Sequence, residues 1–183
     1  GDTFMPVFGY IATSELIKNG HKGIAIVSGY PNKYSSDERL HGYCRAMFDH
    51  GLPINQNYVG TGGFHRSEGG YMATKKILTN SHGNMPTAIV VSNSVMLSGV
   101  YEALYEIGMK VPEDISLISI GKDELSNRLY QHTVAVDFDY RLIATITVSK
   151  ITELIEIGKL ENNNFIISKC NIDHAHTISN IRT

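Results

Sequence analysis

Cysteine occurs only twice in this 183-residue chain, as Cys44 and Cys170, with no CxxC spacing. Two separated thiols cannot build a disulfide framework, and such sparse use suits a reducing cytoplasm. Both read as inert. Excess positive charge is also missing: sixteen lysines and arginines against eighteen acids leave a net charge of -2 and a pI near 6.5. The chain by itself therefore lacks the field that a phosphate-binding surface shows. No apolar run approaches the roughly 18 residues that span a bilayer, and Gly1-Asp2-Thr3 places no basic stretch before an apolar one. Neither an anchor nor an export signal is visible.

Enzyme signatures are absent as well. There is no GxSxG elbow, no HExxH pair and no P-loop. Gly60-Thr61-Gly62-Gly63-Phe64-His65 departs from the dinucleotide fingerprint, because His65 stands where the third glycine belongs. Asp173-His174-Ala175-His176 could contribute metal ligands, but with no further ligand in view it reads as a loose polar tail. No catalysis, cofactor or metal is expected.

What is present is the pattern of a folded α/β protein. Hydrophobic residues make up 42% and charged residues 19% of the chain, the balance of an ordinary globular domain. Ile24-Ala25-Ile26-Val27, Ala88-Ile89-Val90-Val91 and Ile115-Ser116-Leu117-Ile118-Ser119-Ile120 read as buried strands. Helical spacing joins Ile11, Leu16 and Ile17, then Leu40, Tyr43, Cys44 and Met47, then Met72, Ala73, Lys76 and Ile77. Asn19-Gly20, Gly51 and Gly108 each follow a helical pattern, as a C-terminal cap would. Alternation of strand and helix at this spacing predicts a parallel sheet with helices on both faces. Further on, Thr133-Val134-Ala135-Val136 reads as a strand, Tyr140 to Ile157 as a long helix ending near Gly158, and Phe165-Ile166-Ile167 as a last strand. No internal repeat occurs.

Four stretches carry a resemblance. They are Leu16-Ile17-Lys18-Asn19-Gly20-His21-Lys22-Gly23-Ile24-Ala25, Ser36 with Glu38-Arg39-Leu40-His41-Gly42-Tyr43, Pro86-Thr87-Ala88-Ile89-Val90-Val91-Ser92-Asn93, and Gly108-Met109-Lys110-Val111-Pro112-Glu113-Asp114-Ile115-Ser116. In order and spacing they resemble the effector-binding core of the lactose-repressor/galactose-repressor family of bacterial transcription regulators. The resemblance implies a periplasmic-binding-protein-like type I fold, with one complete lobe plus part of a second. Residues 1–183 would be a fragment of the effector domain: approximately 14–136 the C-terminal lobe, 137–162 the returning part of the N-terminal lobe, and 163–183 a C-terminal strand and tail. The chain is then expected to be truncated on its N-terminal side, without the DNA-binding headpiece, so that operator DNA is met only through that missing part. A homodimer, a small-molecule effector (a sugar or sugar phosphate), a cytoplasmic location and no membrane contact complete the expectation. The alternative function is a solute-binding protein of a sugar transporter.

In such a fold the ligand lies beyond the carboxyl ends of the parallel strands. Arg39, whose planar fork can hold hydroxyls or a carboxylate, is the first candidate contact, in a position where the family commonly places an arginine. Phe64 could lie against a sugar ring or belong to the core. Asn93 can donate and accept toward a hydroxyl pair, or simply shape a turn. Tyr140 stands where the family often carries a contact from the other lobe, and could equally be packing. At the end of the strand matching Ile115 to Ile120, many repressors of neutral sugars carry a glycine, an aromatic and two acids; this chain has Ser119-Ile120-Gly121-Lys122 there, and Ser94 in place of a frequent aspartate. Lys122 would then make the wall more positive and favour an anionic effector, unless it points to solvent, Asp123 slides into place through a bulge, or the ligand is neutral and uses other groups.

Overall fold

The computed structural model describes residues 6–62, 66–158, 170–173 and 175–181, with the side chains of Pro6, Phe138, Tyr140 and Cys170 outside that description. In chain order the elements are α1 (Pro6–Lys18), β1 (Ile24–Ser28), α2 (Tyr34–Asp49), β2 (Val59–Thr61), α3 (Ser67–Asn80), β3 (Ala88–Val91), α4 (Leu97–Glu106), β4 (Ser116–Ile120), α5 (Glu124–Leu129), β5 (Val134–Phe138), α6 (Tyr140–Ile157) and β6 (Cys170–Asp173). Short 3-10 turns at Gln56–Tyr58 and Ser94–Met96 lead into β2 and α4. The strands form one sheet in the order β2-β1-β3-β4-β5-β6. Every neighbouring pair is parallel except β5 with β6.

The helices cover both faces of that sheet, and strand alternation decides which side chain meets which helix pair. Ile24, Ile26, Ala88, Val90, Ile118 and Ile120 pack with Phe8, Ala12, Leu16, Tyr43 and Met47 of α1 and α2. Ala25, Val27, Ile89, Val91 and Leu117 pack with Ala73, Ile77, Val100 and Leu104 of α3 and α4. Strands apolar on both faces explain the continuous runs in the sequence.

Three helices stop by the same device. Gly20, Gly51 and Gly108 have φ of 96°, 66° and 72°, a conformation that a Cβ would oppose. Each glycine amide donates to the carbonyl three residues back, and the next amide to the carbonyl five back: His21 to Leu16, Leu52 to Met47, Met109 to Leu104. These paired bonds satisfy carbonyls that the helix end would leave open.

Three elements have no counterpart in the sequence reading: β2, α5 and β6. β2 is only Val59-Gly60-Thr61, with no apolar run, and α5 is a six-residue helix capped by Asp123. The strand expected at Phe165-Ile166-Ile167 lies outside the described residues. The loose tail is corrected. Asn171 and Asp173 pair with Asp137 and Ala135 of β5, and Ala175 and Ile178 pack on the α1/α2 face. Thr177 is fully buried; it exchanges backbone and side-chain bonds with Leu117 and its Oγ1 accepts from the Val134 amide.

That closing segment is also tied to His21, which is 2% exposed. Its Nε2 lies 3.1 Å from the Ser179 carbonyl and its Nδ1 2.9 Å from Thr87 Oγ1. Burial pushes the imidazole below its ordinary range, only partly offset by the Ser179 carbonyl. The unfolded chain therefore binds a proton more readily than the folded one. The contribution of His21 to stability is present above an unfolded pKa of about 6.5 and is lost as pH falls through it toward the lower folded value. The unfolding temperature is expected to drop between about pH 7 and pH 5, and His21→Gln to take up less than the wild type's share of protons on unfolding. Parallel pH profiles for the two proteins would refute this.

Candidate ligand-binding site

The strand order reverses direction between β1 and β3, with β2 on one side and β4 and β5 on the other. Chains leaving the carboxyl ends of β1 and β3 depart on opposite faces, the arrangement at which open α/β sheets form their ligand crevice. β1 ends at Ser28, beside which the Ser92 amide donates to the Val27 carbonyl at 3.0 Å and the Gly62 amide to the Ser28 carbonyl at 3.0 Å. The loop after β1 feeds α2, and the loop after β3 feeds the turn Ser94–Met96.

Arg39 and Asn93 are brought together here. From the second turn of α2, Arg39 Nη1 donates to the Ser92 carbonyl at 2.6 Å, spanning the crevice between the two strand ends. Asn93 accepts the Val95 amide at 3.0 Å and so caps the turn that follows. Its turn-forming role is thus real. Next to it, a Cβ on Gly121 would touch Ser94 Oγ at 3.4 Å, which places the ends of β3 and β4 side by side.

Lys122 is held elsewhere. Its Nζ lies 2.8 Å from Asp173 of β6, which also meets His132 Nε2 at 2.9 Å. The Asp173 carboxylate holds the ammonium above its ordinary range, and Lys122 first, then His132, hold Asp173 below the usual carboxylate range. The expected surplus of positive charge at Lys122 is therefore matched by an acid that the sequence reading left in the tail. Phe64 lies outside the described residues. Tyr140 opens α6 behind the Asp139 cap, and its side chain lies outside them too.

Serine is the feature that sequence reasoning missed. Ser28, Ser92 and Ser119 are buried at 2%, 0% and 1% exposure at the ends of β1, β3 and β4. Ser92 Oγ has no hydrogen-bond partner among the described residues. The only advance signal was their position immediately before or at the end of an apolar run. Among the described residues no group of three potential metal ligands occurs. The Cys44 thiol is pushed up by burial, which disfavours the reactive thiolate.

The profile of the periplasmic binding protein-like domain matches residues 13–169. The chain belongs to that family. As a periplasmic binding protein-like domain it is 42% identical over 123 residues to the HTH-type transcriptional repressor PurR of Pasteurella multocida, covering 67% of this chain and 35% of that protein. The PurR of Histophilus somni (strain 129Pt) is 44% identical over 110 residues, 60% of this chain and 32% of its own length. The chain spans about a third of the length of these curated relatives. Among solved structures, an Escherichia coli sugar-binding transcriptional regulator of the LacI family, complexed with phosphate, superposes with a TM-score of 0.78 at 25% identity, over 96% of this chain and 62% of that one. The Escherichia coli repressor AscG gives a TM-score of 0.84 at 23% identity over the same shares and shows the shared fold. These relatives are transcriptional regulators and not enzymes.

Proposed function

We propose that this chain is the effector-sensing part of a bacterial transcriptional repressor. A small polar ligand settles between the ends of β1, β3 and β4, and its binding biases the angle between two lobes, which a DNA-reading part outside this chain passes to the operator. The ligand acts only if it binds the two lobe angles differently. The observation that carries the reading is the Arg39 fork seated at the switch point, beside Asn93, in a domain whose relatives are PurR repressors. The repressor names of those relatives favour regulation over transport. No catalytic step is assigned to it, and a cytoplasmic location, where operator DNA lies, goes with this function. Among the described residues, no helix is long and apolar enough to cross a membrane.

A second lobe is supported by α6. Val148, Ile151 and Ile155 are 63%, 51% and 76% exposed, an apolar display that a lone helix does not keep in water. In the proposed repressor α6 is the element that returns to the other lobe and is covered there. Phe64 and Tyr140 complete the proposed contact set around Arg39 and Asn93, while Lys122, paired with Asp173, is not needed for the preference between ligands.

The effector is a sugar or sugar derivative. With Lys122 matched by Asp173, a preference for a phosphate or carboxylate rests on Arg39 and on the neutral residues Ser94 and Gly121 at the ends of the neighbouring strands. Ligand binding raises the unfolding temperature by mass action. In a thermal-shift series on the complete two-lobed protein, glucose 6-phosphate is expected to stabilise more than glucose, with the difference retained in Lys122→Ala and lost in Arg39→Ala. Equal stabilisation by both sugars, or none by any sugar tested, would count against this assignment.

A further inference from the structure

Arg39 reaches the site from α2, which packs against α1 at close range. At Gly9 of α1, a built Cβ would lie 2.1 Å from the Arg39 carbonyl oxygen and 3.1 Å from the Tyr43 amide nitrogen. The flanking Phe8 and Ala12 are 3% and 0% exposed, so α1 has little room to slide. Gly9 is itself fixed to its own helix, because Thr13 Oγ1 donates to the Gly9 carbonyl at 2.7 Å. One turn beyond Arg39, Tyr43 is anchored from its ring end, donating to the Ile24 carbonyl of β1 at 2.8 Å.

We infer that Gly9 is a positioning residue for the candidate site: its missing side chain lets α2 approach α1 closely enough for the Arg39 guanidinium to reach the end of β3. This rests on the reading of Arg39 as the effector contact. Real Cβ atoms essentially never come within 3.0 Å of such a neighbour, so an alanine at position 9 drives the Arg39 backbone back by about 1 Å. A binding constellation tolerates roughly 0.5 Å before its geometry degrades. A free arginine head could absorb that displacement through its long stem. This head is seated: Nη1 is 2.6 Å from the Ser92 carbonyl and Nε is buried. Moving the helix therefore lengthens or bends a specific bond.

The alternative is that Gly9 serves only to let two helices cross, with Arg39 a bystander. The two ideas part at the arginine signal. In nitrogen-15 spectra of this chain, the Arg39 side-chain resonance is identified by its loss in Arg39→Lys. Gly9→Ala is expected to shift that resonance and to speed exchange of its guanidinium protons by about tenfold, as local opening becomes easier. Leu104→Ala, a cavity in the α3/α4 face that costs general stability, is expected to leave both unchanged. An unaltered Arg39 signal in Gly9→Ala, or an equal change in Leu104→Ala, overturns the inference. If Gly9→Ala does not fold, Phe8→Leu loosens the seat of α1 without inserting an atom, and a wild-type exchange rate at Arg39 there overturns it as well. The measurement needs no ligand, so a failure of the effector reading, seen as a normal effector response in Arg39→Ala, is recognised separately.

Discussion

Replacing Arg39 with alanine is expected to abolish the effector response of the proposed repressor while leaving its operator affinity unchanged. The guanidinium reaches the ends of β1 and β3 from α2, and it is preorganised by its bond to the Ser92 carbonyl. Hydrogen bonds from a charged donor contribute about 2 kcal/mol or more, so effector affinity should fall by at least about thirtyfold. Arg39→Lys should recover only part of this, because an ammonium cannot hold the strand end and a ligand oxygen with one planar fork. Some stability is lost too, since the Ser92 carbonyl gives up its donor. Operator binding therefore has to be measured in the same preparation, well below the unfolding temperature. Titration of effector against operator-bound protein gives both quantities. A normal response in Arg39→Ala would remove Arg39 from the site.

Much of this arrangement was legible beforehand, for a physical reason. β1 and β3 are covered on both faces, so each carries an unbroken run of four apolar residues, and in β4 only the buried Ser116 and Ser119 interrupt the pattern. The glycines ending α1, α2 and α4 sit in a backbone conformation that few other residues take. Arg39 and Asn93 were both identified from their place after a strand. That they meet, through Ser92, depends on β1 and β3 being neighbours, which is a property of strand order and not of either segment.

What was not legible is mostly long-range. β6 is Cys170-Asn171-Ile172-Asp173, polar enough to read as tail, and it is a strand because β5 offers it a partner. The same pairing carries Asp173 to Lys122, 51 residues away in the chain. A charge count along the sequence sees one lysine gained at the strand end and cannot see the carboxylate that matches it. β2 is hidden for a different reason. Gly60 lies against the Ala73 carbonyl and the Ile77 side chain, so the strand is shaped by close approach of α3 and carries no apolar signature of its own.

Self-association offers the other large effect. A groove of about 480 Å³ lies at the amino ends of β4 and β5, far from the crevice, lined by Leu104, Tyr105, Met109, Leu129 and Tyr130 among others. Its floor is a stacked pair, Tyr101 and Tyr130, with ring centroids 4.6 Å apart. Tyr105 and Leu129 stand 83% and 62% exposed on its walls, an apolar display that a monomer has little reason to keep. Lys110 and Glu113 are also part of the lining. A patch carrying one charge of each sign suits a two-fold contact, in which each copy can set its lysine against the other's glutamate. A second copy of the chain is accordingly the proposed partner, and a two-fold dimer would suit a two-fold operator. Since Tyr105 and Leu129 are exposed, charges placed there should not disturb the monomer fold. Tyr105→Asp combined with Leu129→Asp removes two anchors and buries unpaired carboxylates, costing about 3 kcal/mol or more, so the dimer dissociation constant should rise by over about a hundredfold. Sedimentation equilibrium of both proteins at matched concentrations measures the change, and circular dichroism checks that the double variant is folded. A dimer of undiminished affinity in that variant would move the interface to another face, and a wild type that is monomeric at high micromolar concentration would remove it from this chain.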